Sequence, residues 1–87
     1  MEINQLVILV EKKIKEAINL EDIFIEDKSF LHKNHSGNNK DMYHLKITIK
    51  SQKLKSFSKI EANKIIYKSI SRELKMYIHS IQLLINQ

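Results

Sequence analysis

The run Tyr43-His44-Leu45-Lys46-Ile47-Thr48-Ile49-Lys50 alternates along its length. A strand turns successive side chains to opposite faces, so Leu45, Ile47 and Ile49 share one side, while His44, Lys46, Thr48 and Lys50 share the other. One face is apolar and must be covered; the other can stay wet. The cover has to come from the flanking segments, because 87 residues make one small domain, 1–87, around one core.

The flanks supply helices. In INQLVILVEKKIKEAINLE, Ile3, Leu6, Val7, Val10, Ile14, Ala17 and Ile18 recur at helical spacing. Ile8 and Leu9 widen that apolar face. The polar side mixes both charge signs, which argues for a core helix over a membrane-surface one. A short β-like run, Ile23 to Ile25, follows. FLHKNHSGNNKDM, rich in Asn and His and holding the only glycine, Gly37, reads as a loop. After the alternating strand, a basic loop leads into a second helix. There Ser58-Lys59-Ile60-Glu61 fits a capping box: the Ser58 hydroxyl accepts from the Glu61 amide while Glu61 reaches back. Ile60, Ile66, Ile70 and Leu74 form its expected apolar stripe, with Tyr67 beside it. IHSIQLLI, at 78–85, reads as a last strand.

The expected fold is therefore α+β: a two-layer sandwich in α-β-β-α-β order, with a three-stranded mixed sheet and both helices on one face. The strand-helix-strand crossover from Ile49 to Ile81 should pair its strands in parallel, with a right-handed connection. The hydrophobic fraction of 43% suits one such core. With no proline and one glycine, little of the chain can be punctuated loop.

Composition also excludes chemistries. Cysteine is absent, so the chain can form no disulfide and offers no thiolate nucleophile or ligand. This fits a reducing compartment, and the expected location is the cytoplasm. The start, MEINQLVILVEKK, with an acid at position 2 and only a short apolar run, is not expected to act as a signal peptide, and no run reaches the roughly 20 apolar residues that span a bilayer. No phosphate loop, nucleophile elbow or zinc-protease helix occurs, and the expectation is a protein that is not an enzyme. The net charge of +5 is uneven: residues 1–44 carry six Lys against eight acids, and residues 45–87 eight Lys and one Arg against two. The second half therefore invites an acidic partner or a nucleic acid. A Lys-, Ile- and Asn-rich composition could produce much of that charge without selection for binding.

Two residue sets could carry function. The first is the four histidines, His32, His35, His44 and His79; imidazole suits Zn, Cu, Fe and Ni. Their scattered spacing makes no closed zinc site, and any of them could instead be an ordinary polar residue. The second set is Lys53, Lys55 and Lys59, in the loop entering the second helix, with Lys64 and Lys68 on that helix. Lysines beside a helix N-terminus can hold phosphates, though without reading bases. A solvated face explains them equally well.

The segments DKSFLH, YHLKITIKS and KIIYKSISRELKMYIHSIQLL, in that order, resemble the BolA family. The family pattern begins with Asp/Glu-x-Ser-x-x-His, followed by a His-Phe-x-Val strand. A Phe-x-Gly loop leads to a helix carrying Arg-His-Arg and Tyr; a Glu-Leu segment and an Ile-His-Ala-Leu strand close it. Ser29 and His32 match the first element and His44-Leu45 the second. Tyr67, Glu73-Leu74 and Ile78-His79 match the last ones. Leu54 and Ser56 depart from Phe and Gly, Ala62-Asn63-Lys64 replaces Arg-His-Arg, and the loop between His32 and His44 is longer than usual.

The resemblance implies a class II KH-like fold and a partner, a monothiol glutaredoxin. With that partner the chain would co-ligate a 2Fe–2S cluster in cluster assembly, delivery or iron sensing. The partner, and glutathione carried by it, would supply the thiolates. This chain would supply His79 and His32, with His35 and His44 the lesser candidates. Alone it would hold no cofactor and be a monomer or weak homodimer. The alternative is a KH-like DNA-binding transcriptional regulator using Lys53, Lys55, Lys59, Lys64 and Lys68. The Gly-x-x-Gly clamp of a typical KH domain is missing.

Overall fold

A computed structural model describes residues 1–29 and 42–87. Helix α1 spans Ile3–Ala17 and strand β1 Asp22–Asp27. Strand β2, Tyr43–Lys50, is the alternating run. A 3-10 turn, Lys53–Ser56, leads into α2, Lys59–Ser69, then α3, Ser71–Met76, and β3, Ile78–Ile85. The sheet order is β1-β2-β3. β1 pairs antiparallel with β2, and β3 pairs parallel with it. The expected mixed three-stranded α+β sheet is present, with its parallel pair across the helical crossover.

The pattern of β2 is reproduced in its burial. Leu45, Ile47 and Ile49 are buried while the residues between them are not. They join Leu6, Val10 and Ile14 of α1, Ala62 and Ile66 of α2, and Ile70 and Ile78 in one core. The capping box also forms, with one difference. The Glu61 amide donates to Ser58 Oγ at 3.1 Å as expected, but the Glu61 carboxylate accepts from the Ser58 hydroxyl at 3.0 Å.

Two helical expectations are corrected. The second helix is two helices: Ile70, with φ −121 and ψ 27, separates α2 from α3. Its stripe also differs. Ile60 is 69% exposed and Ala62 is buried. Ile66 lies a step of six after Ile60, which puts them roughly 120° apart on the helix, whereas Ala62, Ile66 and Ile70 follow at steps of four. Ile8, part of the widened apolar face of α1, points to solvent at 69% exposure.

Among the described residues one charged group lies inside. Glu73 of α3 is 2% exposed and accepts from Lys13 Nζ of α1 at 2.6 Å. Its other oxygen, Oε1, has no hydrogen-bond partner among the described residues. A second polar knot closes the far end of the sheet. Ser51 is fully buried; its hydroxyl donates to the Asn19 carbonyl at 2.7 Å and accepts from the Leu54 amide at 3.2 Å. The side chain of Asn86 accepts from the Ser51 amide and donates to the Ser51 carbonyl, at 2.8 and 2.9 Å. Asn86 reaches this position at φ 55, in the left-handed region that Asn tolerates.

Candidate functional site

Parallel pairing places the start of β2 beside the start of β3, and with it His44 beside His79. The pairing is irregular there: Tyr43 is opposite Ile78, but His44 is opposite Ser80. His79 is thus the extra residue of a β-bulge, a device that re-aims a side chain at the end of a ladder. Ile78 before it is buried, whereas His79 is exposed. Because of the bulge, Ile78 and Ile81, three residues apart, both pack on the core, while His79 and Ser80 between them are both exposed.

The neighbouring ring is held from several directions. His44 Nδ1 lies 2.6 Å from Ser80 Oγ. The His44 and His79 ring centroids are 4.8 Å apart with planes at 71°, an edge-to-face contact. The His44 backbone is fixed from the β1 side: its amide donates to Ser29 Oγ at 3.1 Å, and its carbonyl accepts from the Lys28 amide at 2.7 Å. Ser29 is itself positioned by Asp27, whose Oδ1 accepts from the Ser29 amide at 2.9 Å. Tyr43 completes the anchoring, its amide donating to the Tyr77 carbonyl at 2.8 Å.

Two of the four candidate histidines are therefore brought together, His44 and His79. His32 and His35 lie outside the described residues. Among the described residues no group of three or more His, Cys, Asp or Glu gathers as metal ligands would. Ser80 is the site residue that the sequence reading missed. Its only local signal is adjacency to His79; its link to His44 depends on the bulged register.

The lysine set does not form one stripe. Lys53 and Lys55 belong to the 3-10 turn and Lys59 starts α2. Lys64 and Lys68 share a helix face, but Lys64 lies roughly 140° around the helix from Lys59. None of the five is in an ion pair among the described residues. No described helix is long and apolar enough to cross a membrane.

The family model for BolA-like protein matches residues 14–86. The chain belongs to the BolA-like family. No curated protein matches it significantly. Solved structures agree on the fold. The BolA domain of SufE1 from Arabidopsis thaliana is 22% identical, with a TM-score of 0.74 over 90% of this chain and 86% of that one. BolA1 from Arabidopsis thaliana is 15% identical, with a TM-score of 0.76 over 92% and 88%. BolA1 from Mus musculus is 15% identical, with a TM-score of 0.71 over 91% of this chain and 62% of that one. In this BolA-like chain Ser29 and His44, both positions of the family pattern, are joined by the His44 amide donating to the Ser29 hydroxyl, and His44 in turn meets His79.

Proposed function

We propose that this chain is an adaptor that pairs with a monothiol glutaredoxin and co-ligates a 2Fe–2S cluster, serving cluster assembly, delivery or iron sensing. The observation that carries the reading is the exposed His79, set in the bulge at the mouth of β3 against the His44 ring, in a chain of the BolA-like family. The donor set fits a shared cluster and argues against a private one. Such a cluster takes four ligands, thiolates or a mixture with imidazole. This chain has no cysteine, so any thiolates come from the partner and the glutathione it carries.

His79 is the first ligand in this reading and His32 the second. An imidazole binds metal in its neutral form and works best held in one orientation. The edge of the His44 ring limits the rotation of His79, and Ser80 in turn limits His44. When bound, a cluster with imidazole in place of thiolate has a raised reduction potential.

The test is anaerobic reconstitution with a monothiol glutaredoxin, iron, sulfide and glutathione, followed by sizing with absorption monitoring. A coloured 1:1 complex whose spectrum changes with His79→Ala is expected. The same substitution should move the stability of the free chain by no more than about 0.5 kcal/mol, since the side chain is exposed. A glutaredoxin that elutes alone with its own cluster would sink the proposal. Nucleic-acid binding by the five lysines would then be read from its loss as salt rises.

A further inference from the structure

A second feature occupies the other end of β3, roughly 20 Å from His79 at about 3.3 Å per residue. Leu54, Phe57, Leu83 and Ile85 line an open cleft of about 400 Å³ between the 3-10 turn, the start of α2 and the end of β3. Lys55 and Lys59, both exposed, line it as well. Among the described residues β3 is also an edge strand. The Asn86 amide donates to the Ile49 carbonyl, so even-numbered residues turn their amides and carbonyls toward β2. Ile81, Leu83 and Ile85 turn theirs to the free edge. Natural edges are usually guarded by charge or proline. β1, on the other side of the sheet, carries Asp22, Glu26 and Asp27, but β3 has no charged residue and no proline.

The edge and the cleft are parts of one groove. A strand added to β3 would send alternate side chains down beside Leu83 and Ile85 into the apolar floor, while its backbone met the free amides. Charge selects the occupant. No ion pair among the described residues engages Lys55 or Lys59, and Glu61 is held by the Ser58 cap. A second copy added through its own β3 would bring a strand with no acidic residue, leaving Lys55 and Lys59 unmatched. A segment with acidic residues would match them.

We propose that the free edge of β3 and the cleft beside it dock an extended apolar segment of a partner protein by antiparallel strand addition, with acidic residues at the segment's start beside Lys55 and Lys59. This site is separate from the histidine end, and its test does not involve a cluster. The probe is a capped peptide of two Asp followed by alternating Val and Thr, added to the full ¹⁵N-labelled chain. The amides of Ile81, Leu83 and Ile85 should shift and gain exchange protection. Lys55→Glu with Lys59→Glu should weaken binding about tenfold or more, as expected for charge-assisted contacts. N-methylating one alternate set of peptide amides should abolish binding, and methylating the other set should leave it. Equal binding by both methylated peptides would overturn strand addition, and so would indifference to the charge reversal. Protection of the same amides by concentration-dependent dimerisation without peptide would make a second copy the occupant. Displacement of the peptide by a single-stranded oligonucleotide of higher affinity would assign the groove to nucleic acid. Either result would overturn the proposal.

Discussion

Ser80 has a short side chain, yet it fixes one nitrogen of His44 at 2.6 Å. His44 in turn sets its ring edge against His79. Removing the hydroxyl leaves β3 intact, because Ser80 is exposed and its backbone pairing does not need the side chain. Ser80→Ala should therefore cost no more than about 1 kcal/mol, the usual net worth of one hydrogen bond. Its larger effect should be on the ring. The ¹⁵N shifts of the His44 imidazole should move as the balance of tautomers changes, with a smaller response at His79. Unchanged imidazole shifts in this variant would mean that Ser80 does not orient the pair. The sequence marks His79 through its motif position but leaves Ser80 unmarked. The Ser80–His44 contact spans 36 residues, and it depends on a one-residue slip in the parallel register that no local pattern encodes.

Between elements, the decisive contact is the ion pair from α1 to α3. The two partners are unequally buried: the Lys13 side chain is 31% exposed and that of Glu73 is 2%. Truncating Glu73 leaves a lysine that can extend into water. Truncating Lys13 leaves a buried carboxylate whose Oε1 already lacks a partner among the described residues. Breaking a buried pair costs roughly 3–5 kcal/mol when the survivor stays uncompensated. Lys13→Met should approach that range in urea unfolding, and Glu73→Gln should cost clearly less. Equal losses from the two would show that Glu73 is not confined as the geometry places it. At this scale the sequence was readable where one period governed a segment. Leu45, Ile47 and Ile49 follow from alternation, and Ser58 from its spacing to Glu61. It was less readable where volume and angle competed. Ile60 looks like core by hydrophobicity, but its angle takes it outward, and the small Ala62 is buried in the core instead. The break at Ile70 carries neither Gly nor Pro, so no punctuation announces it.

For the whole molecule, the open question is whether the two ends of β3 act on each other. At one end, His79 projects from a bulge and meets His44. At the other, the Asn86–Ser51 amide pair ties β3 to the exit of β2 beside the lysine-lined cleft. No described hydrogen bond or ion pair joins the two ends directly. What lies between them is Ile81 to Ile85, packed on Leu45, Ile47 and Ile49 within a single core. Sites more than about 7–10 Å apart without shared partners usually act additively within roughly 0.5 kcal/mol. Combining His79→Ala with Lys55→Glu and Lys59→Glu should therefore give an unfolding free energy equal, within that margin, to the sum of the separate changes. The histidine change should leave peptide binding at the cleft untouched. Binding that shifts severalfold when only His79 is changed would require β3 to exist in two arrangements. The natural candidate would be a slip that removes the bulge: it would turn Ile81, Leu83 and Ile85 to the opposite face and empty the cleft floor. Exchange protection of the β3 amides in the His79→Ala chain distinguishes the two cases, since a single register keeps the alternation of protected even and exposed odd positions.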